Sequence, residues 1–134
     1  MSAPAGDFVI QPSNSPLLLA SAGAGITTVL PIVEHIARNQ PQRKIIVAHA
    51  DRTAKDHALR ETVLHLGRQI DDFAACTWYE KVGPDDDRSR QGYMDLSDIE
   101  LPDDVQVFTC GPLPFMRHVR ASLQARGVPA GRIR

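Results

Sequence analysis

The chain has almost no surplus of charge: fifteen Lys and Arg are set against sixteen Asp and Glu, a formal net charge of −1. The basic residues are scattered, so the electrostatic footprint of a nucleic-acid binder is missing and a small-molecule partner is expected. Cysteine is scarce. Cys76 and Cys110 are the only two, and each sits inside a different strand-like run, which favours free thiols over a disulfide. No apolar run approaches the length of a membrane span, and no basic-then-apolar layout of a signal peptide opens the sequence. A reducing cytoplasm and no membrane partner are therefore expected. No repeat of fixed period occurs. At 134 residues a single domain can bury a core without metals or disulfides.

What the chain does contain is an alternation of short apolar runs with helix-like stretches. Leu17-Leu18-Leu19-Ala20-Ser21 reads as a strand buried on both faces, and Thr27 to about Asn39 as a helix with Pro31 tolerable only in its first turn. Lys44 to Ala50 is a second strand, followed by a helix with Thr53 as N-cap that runs through Leu66 and stops at Gly67. Phe73 to Tyr79 is a third strand, Gly83 to Gly92 a polar loop, and Asp95 to Ile99 a short turn of helix. Val105 to Cys110 is a fourth strand and Pro112 to Arg126 a helix capped by Gly127. Ile133-Arg134 reads as the start of a fifth strand, cut short. This order predicts an α/β fold with a doubly wound parallel sheet over 17–134, preceded at 1–16 by a strand end and linker.

Two glycine turns stand out. Ser21-Ala22-Gly23-Ala24-Gly25-Ile26-Thr27-Thr28 and Cys110-Gly111-Pro112 each follow a strand and precede a helix. Glycines there admit close backbone approach, and a helix N-terminus offers unpaired N–H groups to a phosphate. The third glycine of the dinucleotide fingerprint would fall at Thr28, so the first turn alone fits packing of helix on strand equally well. The second turn strengthens the ligand reading, because ligands of open α/β sheets bind beyond strand carboxyl ends where connections diverge. For Cys110 the alternative is a buried thiol filling apolar space.

Taken together, Ser21 to Thr27, Thr77-Trp78-Tyr79, Tyr93-Met94-Asp95-Leu96 and Cys110-Gly111-Pro112 with Phe115-Met116 resemble the nicotinamide-binding domain of the ferredoxin-NADP reductase superfamily, and most closely the reductase part of flavohaemoglobins. The resemblance implies a strand order 3-2-1-4-5 with the last strand truncated. It implies an oxidoreductase domain in which NADH or NADPH binds and passes hydride to FAD held by a preceding domain, with electrons going on to a haem for nitric oxide dioxygenation. Gly23, Ala24, Gly25, Ile26, Thr27 and Thr28 would hold the pyrophosphate. Cys110 would position the nicotinamide beside Gly111 and Pro112, supported by Phe115 and Met116. Pro4-Ala5-Gly6-Asp7-Phe8 is similar to the last strand of the flavin domain. The flavin-binding Arg-x-Tyr-Ser motif and the globin have no counterpart here, so the isolated chain is expected to be inactive. Other readings are the reductase component of an oxygenase, or a fragment that binds nucleotide without turnover.

Asp51 and Arg52 follow the second strand, where an acid can accept from the adenosine ribose and an Arg can pair a 2′-phosphate; the balance favours NADH. Two solvated loop charges are the alternative. His35, His57, His65 and His118 lack partners at metal-ligand spacing and read as surface histidines. Asp85-Asp86-Asp87 departs from the calcium-loop pattern, so no metal is assigned. Trp78 and Tyr79 read as core and rim of a strand.

Overall fold

The computed structural model describes residues 15–82, 90–97 and 99–134. The segment 1–14, the acidic run 85–87 and Asp98 lie outside the described residues, and with them most of the expected flavin-domain strand and linker. The strands are β1 (Leu17–Ala22), β2 (Ile45–Asp51), β3 (Phe73–Tyr79), β4 (Arg90–Gln91) and β5 (Gln106–Cys110), and the helices α1 (Ile26–Asn39), α2 (Arg60–Gly67) and α3 (Leu113–Ala125). All pairings are parallel, in the order β4-β3-β2-β1-β5. Beyond β5, Ile133 bridges to Val107 in parallel. This is the expected doubly wound sheet with one addition: Arg90 and Gln91, expected in a loop, pair with Trp78 and Tyr79. The Gly92 N–H then bonds the Tyr79 carbonyl at 2.9 Å.

The strands read as continuous apolar runs because both faces are covered. Leu17, Leu19, Ile45, Val47 and Phe108 face α1 and α2, together with Ile26, Val29, Ile32, Val33, Ile36 and Val63. Leu18, Ala20, Ile46, Ala48, Trp78 and Val107 face the other way, against Val119 and Leu123 of α3 and the segment carrying Met94, Leu96 and Ile99. Each fully buried aliphatic side chain contributes about 1.5–3 kcal/mol of transfer free energy, as an upper figure. Because α1 leaves β1 for one face and α3 leaves β5 for the other, the connections diverge between these neighbouring strands. That switch point carries both glycine turns.

Three local expectations need correction. Helix α1 continues through Pro31 in its second turn; the ring lies on the exposed side of the helix, where water can satisfy the carbonyl freed by its missing N–H. The helix expected from Thr53 is broken: Ala54–Asp56 form a 3-10 turn, Leu59 is left-handed at φ 60°, and α2 starts only at Arg60. Thr53 caps no backbone group; its hydroxyl donates to Asp56 Oδ2 at 2.9 Å. The break turns His57 inward onto Tyr79 and His49. As expected, the helix stops at Gly67, where the close approach of the Phe73 ring leaves no room for a Cβ. In the stretch expected as a turn of helix from Asp95 to Ile99, the described residues are not helical and carry turn hydrogen bonds: Asp95 Oδ1 accepts from Ser97 N–H at 3.0 Å and Leu96 carbonyl from Ile99 N–H at 3.1 Å. Gly127, at φ 92°, does follow α3 in the left-handed region, with Val128 N–H bonded to the Leu123 carbonyl.

Candidate functional site

The two glycine turns touch. Gly25 is buried, and a Cβ on it would overlap the Cys110 carbonyl and sit 3.2 Å from Gly111 N. At Gly111 a Cβ would come within 3.0 Å of Phe115 Cδ2 and 3.3 Å of Ala22 Cβ. Gly23 differs: it is left-handed at φ 56° and has nothing within 4 Å of its missing Cβ. The glycines thus divide the work, one shaping the turn and two letting the turns of β1 and β5 pack backbone to backbone. Thr27 spends its hydroxyl proton on the Ala24 carbonyl, at 2.8 Å, which braces the first turn.

Beyond the carboxyl ends of β1, β2 and β3 lies a cleft of about 570 Å³. Its floor includes Ala22 and Ala50, which are in register on adjacent strands and too small to fill the space above them. Met94, Pro112, Pro114 and Phe115 add apolar wall, and Asp51, Arg52, Glu80, Tyr93 and His118 bring polar groups. His118 Nε2 donates to the Met94 carbonyl at 3.0 Å, tying α3 to the segment opposite. A largely apolar cleft with few polar groups is the usual form of a small-molecule site.

Of the residues singled out from sequence, Gly23, Asp51, Arg52, Pro112 and Phe115 line this cleft. Gly25 and Ile26 are buried beneath the first turn, Ala24 and Thr27 are exposed on it, and Thr28 and Met116 are half-buried. Cys110 is half-buried beside Ser21 on the α1 face of the sheet; it and Gly111 contribute to the site through the backbone contact with Gly25. Both cysteines are free. Sequence reasoning missed Glu80, His118 and the placement of Tyr93, which is 83% exposed. Glu80 follows β3 as Arg52 follows β2, so the rule that ligands gather at strand ends would have found it.

A second group brings His57 and Tyr79, both placed differently by the sequence, together with His49. His49 is 1% exposed; Ser21 Oγ lies 2.7 Å from its Nδ1 and Asp51 Oδ2 lies 3.0 Å from its Nε2. His57, expected at the surface, stacks on His49 with centroids 4.1 Å apart and bonds the Tyr79 hydroxyl at 2.8 Å through Nδ1. Burial, then the charges of His49 and Arg60, push His57 down to about 4 against a smaller pull from Asp51. Burial likewise lowers His49, opposed by Asp51. Both shifts favour the neutral form of the rings. Trp78 and Tyr79 are 2% and 0% exposed, so Tyr79 belongs to the core and not the rim. Among the described residues no cluster of three metal-capable side chains occurs, and no helix is long and apolar enough to cross a membrane.

A family model described as oxidoreductase NAD-binding domain matches residues 19–121. The chain belongs to this family. A flavohemoprotein from Deinococcus radiodurans is 36% identical over 96% of this chain and 34% of its own length, so the chain spans about a third of the length of that curated relative. Among solved structures, the FAD/NAD-binding domain of nitric oxide dioxygenase from Vibrio cholerae superposes with a TM-score of 0.83 at 31% identity, over 90% of this chain and 50% of that one. Flavohemoglobin from Malassezia yamatoensis, with bound FAD and heme, gives 0.82 at 28% over 92% of this chain and 32% of that one. The NAD-binding domain described here is thus of the kind found in flavohemoglobin-type flavin reductases.

Proposed function

We propose that this chain binds NADH across the cleft, with the pyrophosphate at the turn Gly23 to Thr28, the adenosine ribose at Asp51 and the nicotinamide beside Cys110, Gly111 and Pro112. The observation that carries this reading is the seating of Gly25 against the Cys110 carbonyl, which holds the two turns together at the switch point where ligands of such sheets bind. The residues fit the group: the first turn leads directly into the 14-residue helix α1, whose N-terminal N–H groups favour anions. NADH is favoured over NADPH because Asp51 and Glu80 place two carboxylates on the cleft wall against the single Arg52, an unfavourable setting for a 2′-phosphate.

For the whole protein we propose NADH-dependent reduction of a flavin held mainly by a separate flavin domain, with 1–16 as the end of that domain's last strand and a linker, and with electrons passed to a haem that supports nitric oxide dioxygenation. The identity to flavohemoproteins supports a globin acceptor over an oxygenase partner, and the two free thiols fit a cytoplasmic setting. The cofactors carry the hydride chemistry, and this chain binds and orients. Turnover by the isolated chain with NADH, added FAD and a dye acceptor is expected to stay near that of free flavin, since the near-attack geometry is not enforced. The test of binding is a titration of amide resonances. NADH should shift Gly23, Gly25 and Gly111, with NADPH weaker; no response to either at millimolar concentration would overturn the proposal.

A further inference from the structure

The chain Ser21–His49–Asp51 links a strand buried at the centre of the sheet to a carboxylate on the cleft. Ser21 and His49 are paired in register across β1 and β2, and both are buried, at 0% and 1% exposure. The Asp51 side chain is itself 9% exposed. With the imidazole neutral, only one arrangement of protons satisfies every member. A carboxylate can only accept, so His49 Nε2–H donates to Asp51 Oδ2, and the neutral ring's Nδ1 accepts from the Ser21 hydroxyl. Asp51 Oδ1 accepts from the Arg52 N–H at 3.0 Å. Each carboxylate oxygen therefore has one bond within the protein, Oδ2 inward to His49 and Oδ1 to the adjacent backbone, and one remaining acceptor direction, and Asp51 lines the cleft. His57, stacked on the open face of His49 and held by Tyr79, keeps the imidazole from rotating away.

We propose that His49 is a positioning residue for nucleotide recognition: with its tautomer set by Ser21, it fixes the Asp51 carboxylate so that its free acceptor sites meet the hydroxyls of the adenosine ribose. This rests on the nucleotide reading above and adds that the discrimination depends on two buried residues that never touch ligand, Ser21 and His49. A bidentate-capable acceptor held rigidly from behind loses less side-chain freedom on binding than a solvated one.

The experiment compares ADP with 2′,3′-dideoxy-ADP, which lacks the ribose hydroxyls, by amide titration of the chain. The unaltered protein should bind ADP about tenfold more tightly than the dideoxy form, as expected for a charge-assisted hydrogen bond. His49→Leu should erase that preference by weakening ADP alone. His49→Gln should restore most of it, because Gln Oε1 can accept from Ser21 while its amide N–H donates to Asp51. Ser21→Ala should reduce the preference in part, and it decides the matter if His49→Leu does not fold. The imidazole nitrogen shifts of His49 should show the Nε2–H tautomer at pH 7, and a mixture in Ser21→Ala. A preference untouched by both His49→Leu and Ser21→Ala, or lost in a folded His49→Gln, overturns the relay. Equal binding of ADP and its dideoxy form also overturns it, while leaving the nucleotide reading intact; binding of neither ADP nor NADH sinks that reading itself.

Discussion

The two halves of the cleft are built by opposite means. At the β1–β5 end, the proposed pyrophosphate and nicotinamide turns are assembled from missing side chains: Gly25 and Gly111 let two backbones close on each other. At the β2–β3 end the proposed ribose site is assembled from polar side chains buried in contact, with His49, His57 and Tyr79 packed behind Asp51. A phosphate is read by backbone N–H groups whatever the neighbouring side chains, whereas a ribose is read by a carboxylate whose direction must be held. At Gly25 and Gly111 the first end has no room for an added atom, and the second end depends on its hydrogen bonds. They should therefore fail differently.

The largest effect is expected at the first end. In Gly25→Ala the new methyl group meets the Cys110 carbonyl, which is backbone and cannot swing aside. Overpacking of this kind costs about 2–4 kcal/mol, which for a domain of this size lowers Tm by roughly 8–15 °C. Thermal unfolding followed by circular dichroism checks it; an unchanged Tm would show that the two turns do not pack as described.

The second end should fail with acid. His57 is held down to about 4, first by burial. Since the folded value lies below the ordinary value near 6.5, the fold prefers the neutral ring. That stability is fully present above about pH 6.5 and is lost as pH falls towards 4. The ring is only half-buried, so after solvent screening the loss is about 1–2 kcal/mol; the lowered His49 acts in the same direction. A proton-resonance titration of His57 should show a midpoint near 4, and a midpoint above 6 would break the contrast between the two ends. Tyr79→Phe, which removes the hydroxyl partner of His57, should cost about 1 kcal/mol in urea unfolding at pH 7, with no change at the glycine end.

The contrast also explains what could be read from the residues in order. Apolar runs such as Leu17–Leu19 and Ile45–Val47 predict buried parallel strands because the pattern is local, and both glycine turns are visible because each follows such a run and precedes a helical one. The relay is not local. Ser21, His49 and Tyr79 are brought together only by strand register, and the helix expected from Thr53 hides the inward turn of His57, since nothing in the helical spacing announces a left-handed Leu59. Gly67 is legible as a stop signal, but the Phe73 ring packed against it is not. The two-residue strand at Arg90 carries too little pattern to separate from its loop.

The smallest change in stability is expected where the two glycines of one turn are separated. Gly23→Ala places a methyl group where no protein atom lies within 4 Å, so its cost is the left-handed backbone at φ 56° alone, about 1 kcal/mol. Tm should fall by only a few degrees. Gly23 nonetheless lines the cleft, and a Cβ there would occupy space at the proposed pyrophosphate position. NADH affinity should therefore drop at least tenfold in a protein that is still folded, whereas Gly25→Ala loses binding and fold together. Measuring Kd and Tm on both variants separates the two roles. If Gly23→Ala keeps its affinity for NADH, the first turn is a packing device throughout, and the pyrophosphate must be held elsewhere along the cleft.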